Sequence, residues 1–189
     1  GQATAAAVDR LLREAVAAKP VLQAPDFTRE AIRSPYNRME ADERKEARKQ
    51  ARRDTIALSS WWFRQMRDTP APLAERMTLF WHGHFATSMQ KVQQEQGMYL
   101  QHQLLRRHAL GSFRELAQGV ARDPAMLIYL DGASNRVKAP NENFAREVME
   151  LFLLGEGQYG ERDIREAARA FSGWSVDRAM WRAEFRPAR

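Results

Sequence analysis

The sequence predicts an all-α protein, a compact multi-helix bundle of about seven to eight helices with no substantial sheet. Three observations predict it. Apolar residues recur at helical spacing along most of the chain. Helix punctuation is frequent, with Ser112, Asp123-Pro124 and Pro140-Asn141 at starts and Gly111, Gly155 and Gly173 at ends. No alternating run is long enough to make a lasting strand, and no internal repeat stands out.

The elements follow in order. Thr4–Ala18 is alanine-rich and reads as a helix with Thr4 as its N-cap. Pro20–Pro25 is a linker, and Ser34-Pro35-Tyr36-Asn37 a turn. A long charged helix runs from about Arg38 to Arg67. Its first half is expected in solvent and its last turns in the core, through Ile56, Trp61, Trp62, Phe63 and Met66. After Thr69-Pro70-Ala71-Pro72 comes a helix carrying His82 and His84, with a break near Gly97. Met98–Leu110 is the next, closed by Gly111. Ser112 and Glu115 form a capping-box pattern for a helix to about Arg122. Asp123-Pro124 supplies N-cap and first-turn residues for Pro124–Leu130. Asp131–Lys138 is a polar loop, Pro140-Asn141 opens a helix ending at Leu154-Gly155, and a last helix covers about Glu161–Phe171. A single globular unit is expected overall, with an N-terminal helical region over 1–56 and a helical core over 57–189.

The chain has 189 residues and no cysteine. That excludes a disulfide scaffold, thiolate nucleophiles, Cys-bound zinc and iron–sulfur clusters. No apolar run approaches the ~20 residues of a membrane span. No signal peptide is visible, and the chain starts at Gly1 rather than Met, which suggests a processed or trimmed piece of a longer protein. The net charge is +6. Much of it lies in Arg44–Arg53, where Arg44, Lys45, Arg48, Lys49, Arg52 and Arg53 face only Glu46. Without a base-reading motif this stripe reads as a solvated helix face, and nucleic acid is an unfavoured partner.

Two segments carry candidate chemistry. The first is Met77–Val92, where aromatic residues enclose His82 and His84. Imidazole is the usual neutral-pH metal ligand and acid–base group. On a helical wheel His84 shares a face with Met77, Phe80, Trp81, Phe85, Ser88 and Val92, whereas His82 falls on the other side with Met89. Residues two apart cannot chelate one ion from a regular helix, though Gly83 permits a departure. His84 is therefore the better inward group, as a ligand or as a hydrogen-bonded core histidine.

The second segment is Asn141–Leu154. Phe144, Val148, Leu151 and Phe152 make a core stripe, and Asn143, Glu147 and Glu150 line the adjacent face. A buried glutamate must be paired, metal-bound or protonated, and Glu147 lies nearest the stripe. Asn141 or Asn143 serves equally as a helix cap. Arg146 can pair with Glu142 or Glu150 at helical spacing. The preceding loop adds Asp131, Asn135, Arg136 and Lys138. His102 and His108 lie in a basic helix and read as structural or exposed. No P-loop, dinucleotide fingerprint or nucleophile elbow is present.

Trp61-Trp62, Pro72–Ser88 with its Trp-His-x-His-Phe core, Leu104–Asp131, Pro140–Gly155 (PNENFAREVMELFLLG) and Asp163–Trp174 together resemble the bacterial family called domain of unknown function 1800. The resemblance spans roughly Leu58 to Val176, and Gly160 departs from it where Thr or Ser is more typical. It implies a largely helical bacterial protein, often exported or periplasmic, with a cytoplasmic setting still open. It also implies a protein partner encoded nearby, in a second uncharacterised family resembling sulfatases, and no established activity. Members are usually longer, so the chain reads as a middle section.

Two functions remain open. One is a metal- or acid–base-dependent enzyme of the cell envelope. It would use His84 and Glu147 as catalytic groups, His82, His84 and Glu147 as ligands of a divalent ion such as Zn²⁺ or Mn²⁺, and Asn141, Asn143, Arg146 and Glu150 for binding. The other is a structural or partner-binding module in which the same polar groups only fix helix packing.

Overall fold

The computed structural model describes residues 2–187, so Gly1, Ala188 and Arg189, the outer ends of the two expected regions, lie outside the described residues. The fold is mostly helical. Its helices are α1 (Gln2–Ala17), α2 (Ala41–Asp68), α3 (Pro72–His84), α4 (Met89–Val92), α5 (Glu95–His108), α6 (Phe113–Val120), α7 (Pro124–Tyr129), α8 (Glu142–Glu147) and α9 (Glu161–Ala170). A π turn over Val148–Leu153 continues α8. The chain closes with an antiparallel hairpin, β1 (Trp174–Asp177) and β2 (Arg182–Phe185), in the register Trp174 to Phe185. The hairpin is too short to leave a readable alternation.

Local capping chemistry sets several helix starts. Ser112 Oγ accepts from Glu115 N at 3.4 Å, and Asp123 Oδ2 accepts from Met126 N at 2.9 Å. Asn141 Oδ1 accepts from Asn143 N at 3.0 Å. Each satisfies an amide that the first helical turn leaves unpaired. Thr4, expected as a cap, instead lies inside α1.

The main core joins Phe85, Leu105, Leu116, Val120, Met126, Leu127, Leu130, Phe144, Val148 and Phe152, from the end of α3 to the π turn. Three expected core residues are exposed. Ile56 is 66% exposed and Phe63 70%, because α2 turns Trp61 and Gln65 inward instead. Leu151 is 60% exposed, because the π turn widens the helix and rotates that residue away from the line of Phe144, Val148 and Phe152. Gly97, expected to break a helix, lies within α5. A Cβ there would fall inside the Trp181 ring, so only glycine lets the hairpin approach so closely.

Polar side chains tie the irregular N-terminal segment to the bundle. Gln65, fully buried, accepts from Val21 N and Leu22 N, both at 3.0 Å. Glu75, 1% exposed, receives Arg106 Nε at 2.8 Å, and Arg106 Nη1 reaches Ala18 O at 3.2 Å. Gln96 Nε2 donates to Phe27 O and Glu30 O, each at 2.7 Å. The inner face of α3 is consequently Ala71, Ala74, Glu75 and Thr78, with His82 one turn beyond Thr78. It is built from small and polar residues, which a wheel drawn through apolar residues misses.

The basic stretch of α2 is largely solvated. Lys49 pairs with Glu46 at 2.7 Å, Arg53 bonds Gln50, and Arg48 lies 5.8 Å over the Tyr36 ring. No helix among the described residues is long and apolar enough to cross a membrane.

Candidate functional site

The two histidines of α3 face different neighbours. His84 is half-buried, and its Nε2 lies 3.1 Å from the carbonyl oxygen of Phe152. That carbonyl belongs to the last turn of the π segment, where acceptors lack helical partners. With Nε2 protonated, His84 donates to it and closes the helix end. Phe85 packs against the His84 ring at 4.6 Å.

The asparagines work in the same way. Asn135, fully buried, donates from Nδ2 to Ala168 O at 2.6 Å and accepts from Asn141 N at 2.9 Å. Asn143 Nδ2 donates to Leu130 O at 3.1 Å, and Asn141 Nδ2 to Ser134 Oγ at 3.1 Å. Ala168 and Leu130 lie at the C-terminal ends of α9 and α7. The asparagines thus stitch two helix ends to the start of α8.

Arg146 engages Glu161 through Nη1 and Nη2, both at 2.9 Å, and Glu142 at 3.3 Å. The Glu161 hydrogen bond is the main cause of its raised pKa, with Glu142 and Glu150 adding to it. Glu147 is half-buried on α8. Among the described residues no group of three or more His, Asp or Glu side chains is arranged to hold a metal ion, so His82, His84 and Glu147 are not gathered into such a set.

His82 points to the opposite side, into a cleft between α2, α3, α4 and α5. Its ring packs on Trp62 at 4.5 Å with the planes 36° apart. The second histidine of the cleft is His102 from α5, 5.9 Å from His82 between ring centroids. Trp61 and Trp62 meet the His102 ring edge-on at 5.3 and 4.9 Å. The cleft encloses about 180 Å³ and is also lined by Met89, Met98, Thr55, Leu58 and Ser59.

His102 is 3% exposed, yet among the described residues neither of its ring nitrogens has a hydrogen-bond partner, and Trp62 Nε1 is likewise buried without one. Each such atom costs about 1–3 kcal/mol. Burial lowers the His82 pKa to about 4. Burial, with smaller effects of His82 and Arg106, lowers that of His102 to about 3. Both rings are neutral at pH 7, with lone pairs open to a Lewis acid or a hydrogen-bond donor.

The residue pattern marks His102 as structural or exposed, whereas the structure buries it against the cleft. A signal was present, since Met98 and His102 stand four apart on one face of α5, with Leu105 following. What pattern alone did not disclose is that Trp62 and His82 arrive from two other helices.

A small helical bundle with a neutral histidine pair in an aromatic cleft is the class of protein that this architecture defines. The chain belongs to the family described as Protein of unknown function (DUF1800), which it matches over residues 1–189. The match extends beyond the Leu58–Val176 stretch that carries the recognisable motifs. No curated protein and no solved structure matches the chain.

Proposed function

We propose that this protein is a helical ligand-binding module whose working site is the His82–His102 cleft, and that the ligand is a metal ion held through imidazole nitrogen. The observation that carries this reading is His102, 3% exposed, with both ring nitrogens unpartnered and the His82 ring 5.9 Å away. Two imidazoles bound to one ion at ~2.0–2.1 Å place their ring centroids roughly 5–6 Å apart. In native proteins, buried polar atoms without a protein partner call for an explanation such as an ion or water. The site therefore differs from the expected His84–Glu147 pairing: His82 stays and His102 replaces the carboxylate. The family resemblance supports a bacterial, exported setting for this binding, which fractionation of the native host would check.

Titration of chelator-treated protein with Zn²⁺ and Co²⁺, followed by calorimetry and tryptophan fluorescence, tests the reading. One ion per chain should bind, and His102→Leu should abolish it while His84→Ala leaves it intact. Equal binding by wild type and His102→Leu would overturn the proposal.

The second signature segment supports a structural reading of its own. The Asn135, Asn141 and Asn143 bonds to helix-end groups describe a packing device, so these residues act by positioning α7, α8 and α9.

A further inference from the structure

The cleft holds more than nitrogen donors. Met98 stands one turn before His102 on α5, and Met89 opens α4. Both line the same 180 Å³ space as His82, His102 and Trp62. The Met98 sulfur is 3.9 Å from Thr87 Oγ1, whose closer partner is Gln101 Oε1 at 2.5 Å. Among the described residues no carboxylate lines the cleft. Thioether sulfur is a soft donor that selects monovalent copper, whereas Mg²⁺, Ca²⁺ and Mn²⁺ favour oxygen. Zn²⁺ is served by imidazole and gains less from a thioether than monovalent copper does.

We infer that the cleft is a copper(I) site, with His82 and His102 as nitrogen ligands, Met89 and Met98 as sulfur ligands and the Trp62 ring as a wall that shields the ion. This rests on the reading of the cleft as a ligand site and adds the identity of the metal. Low charge suits the location. The cleft supplies neutral donors only, so a monovalent ion carries less charge into an apolar space than a divalent one. A four-residue α4 between α3 and α5 brings Met89 to the mouth, where it is half-buried.

The test is anaerobic titration of the full chain with Cu(I) against bicinchoninate, a chromogenic chelator. One copper per chain should bind, with quenched tryptophan emission. Met98→Leu and Met89→Leu, near-isosteric replacements, should each weaken Cu(I) at least tenfold and change Zn²⁺ affinity less than twofold. In wild-type protein with ¹³C-labelled methionine methyls, two of the eight methionine signals should move on copper addition. The methyl readout needs no variant, so it stands even where a substitution impairs folding.

Copper binding that leaves all methionine methyls unmoved would overturn the inference. So would Zn²⁺ or Co²⁺ binding at His82 and His102 without Cu(I) binding, although the broader ligand-site reading would survive. Failure of every metal would remove both.

Discussion

His82 and His84 stand two residues apart on α3 and experience opposite environments. His84 meets a helix-end carbonyl, and the asparagines nearby likewise find partners on Leu130, Ser134 and Ala168. His82 meets aromatic faces and a second histidine whose ring nitrogens find no partner among the described residues. The first region spends its polarity on closing helix ends. The second leaves its polarity facing a cavity. Residues of the same type, in one signature segment, can thus be structural on one side of a helix and ligand-competent on the other. The difference is the presence or absence of a backbone acceptor within reach.

The largest test of this contrast is Asn135→Ala. It removes two hydrogen bonds of a fully buried side chain and orphans the Ala168 carbonyl, so chemical denaturation should show a loss of roughly 2–4 kcal/mol. A near-wild-type midpoint would mean that the asparagine stitching is not what holds α7, α8 and α9.

Acid should act on the other region. Unfolded imidazoles take protons below about pH 6.5, whereas folded His82 waits until about 4 and folded His102 until about 3. Between those limits the unfolded chain holds more protons, so stability falls as pH falls, by about 1.4 kcal/mol per unit of pKa difference. His102→Leu should flatten that slope between pH 6.5 and 4. An unchanged slope would show that His102 is already protonated or partnered in the folded protein.

The sign of the same substitution at neutral pH sharpens the comparison further. In metal-free protein His102→Leu should be neutral or stabilising by about 1 kcal/mol, because it removes unpartnered buried nitrogens. That is opposite in direction to Asn135→Ala. A clear destabilisation in thermal melts would place His102 among the packing groups.

A modest loss belongs to His84→Ala. One half-buried hydrogen bond is lost, and the cost should be about 0.5–1.5 kcal/mol with ligand binding unchanged.

Much of the fold was legible because capping is local. Ser112, Asp123-Pro124 and Asn141 act within three residues of themselves, and each closes a helix start as the residue pattern implies. Gly155, at φ of 80°, closes the π turn through a conformation that favours glycine, and Gly173, at φ of 94°, turns the chain from the end of α9 into β1. The family resemblance was legible for the same reason, being carried by contiguous motifs. The candidate site was only half legible. His82 stood out, but its partner lies on another helix and was hidden among basic residues. The wheel for α3 assumed an apolar inner face, whereas Ala74, Glu75 and Thr78 are the buried ones, made tolerable by Arg106 reaching across from α5.

Helix content, the helix starts and the absence of cysteine chemistry follow from residue order, since each depends on neighbours a few positions away. Which face of α3 turns inward, how the π turn swings Leu151 into solvent and how Trp62, His82, Met89, Met98 and His102 come to share one cavity depend on packing between distant segments. Burial and hydrogen-bond partnership are properties of that packing, and they divide the chemistry of His82 from that of His84.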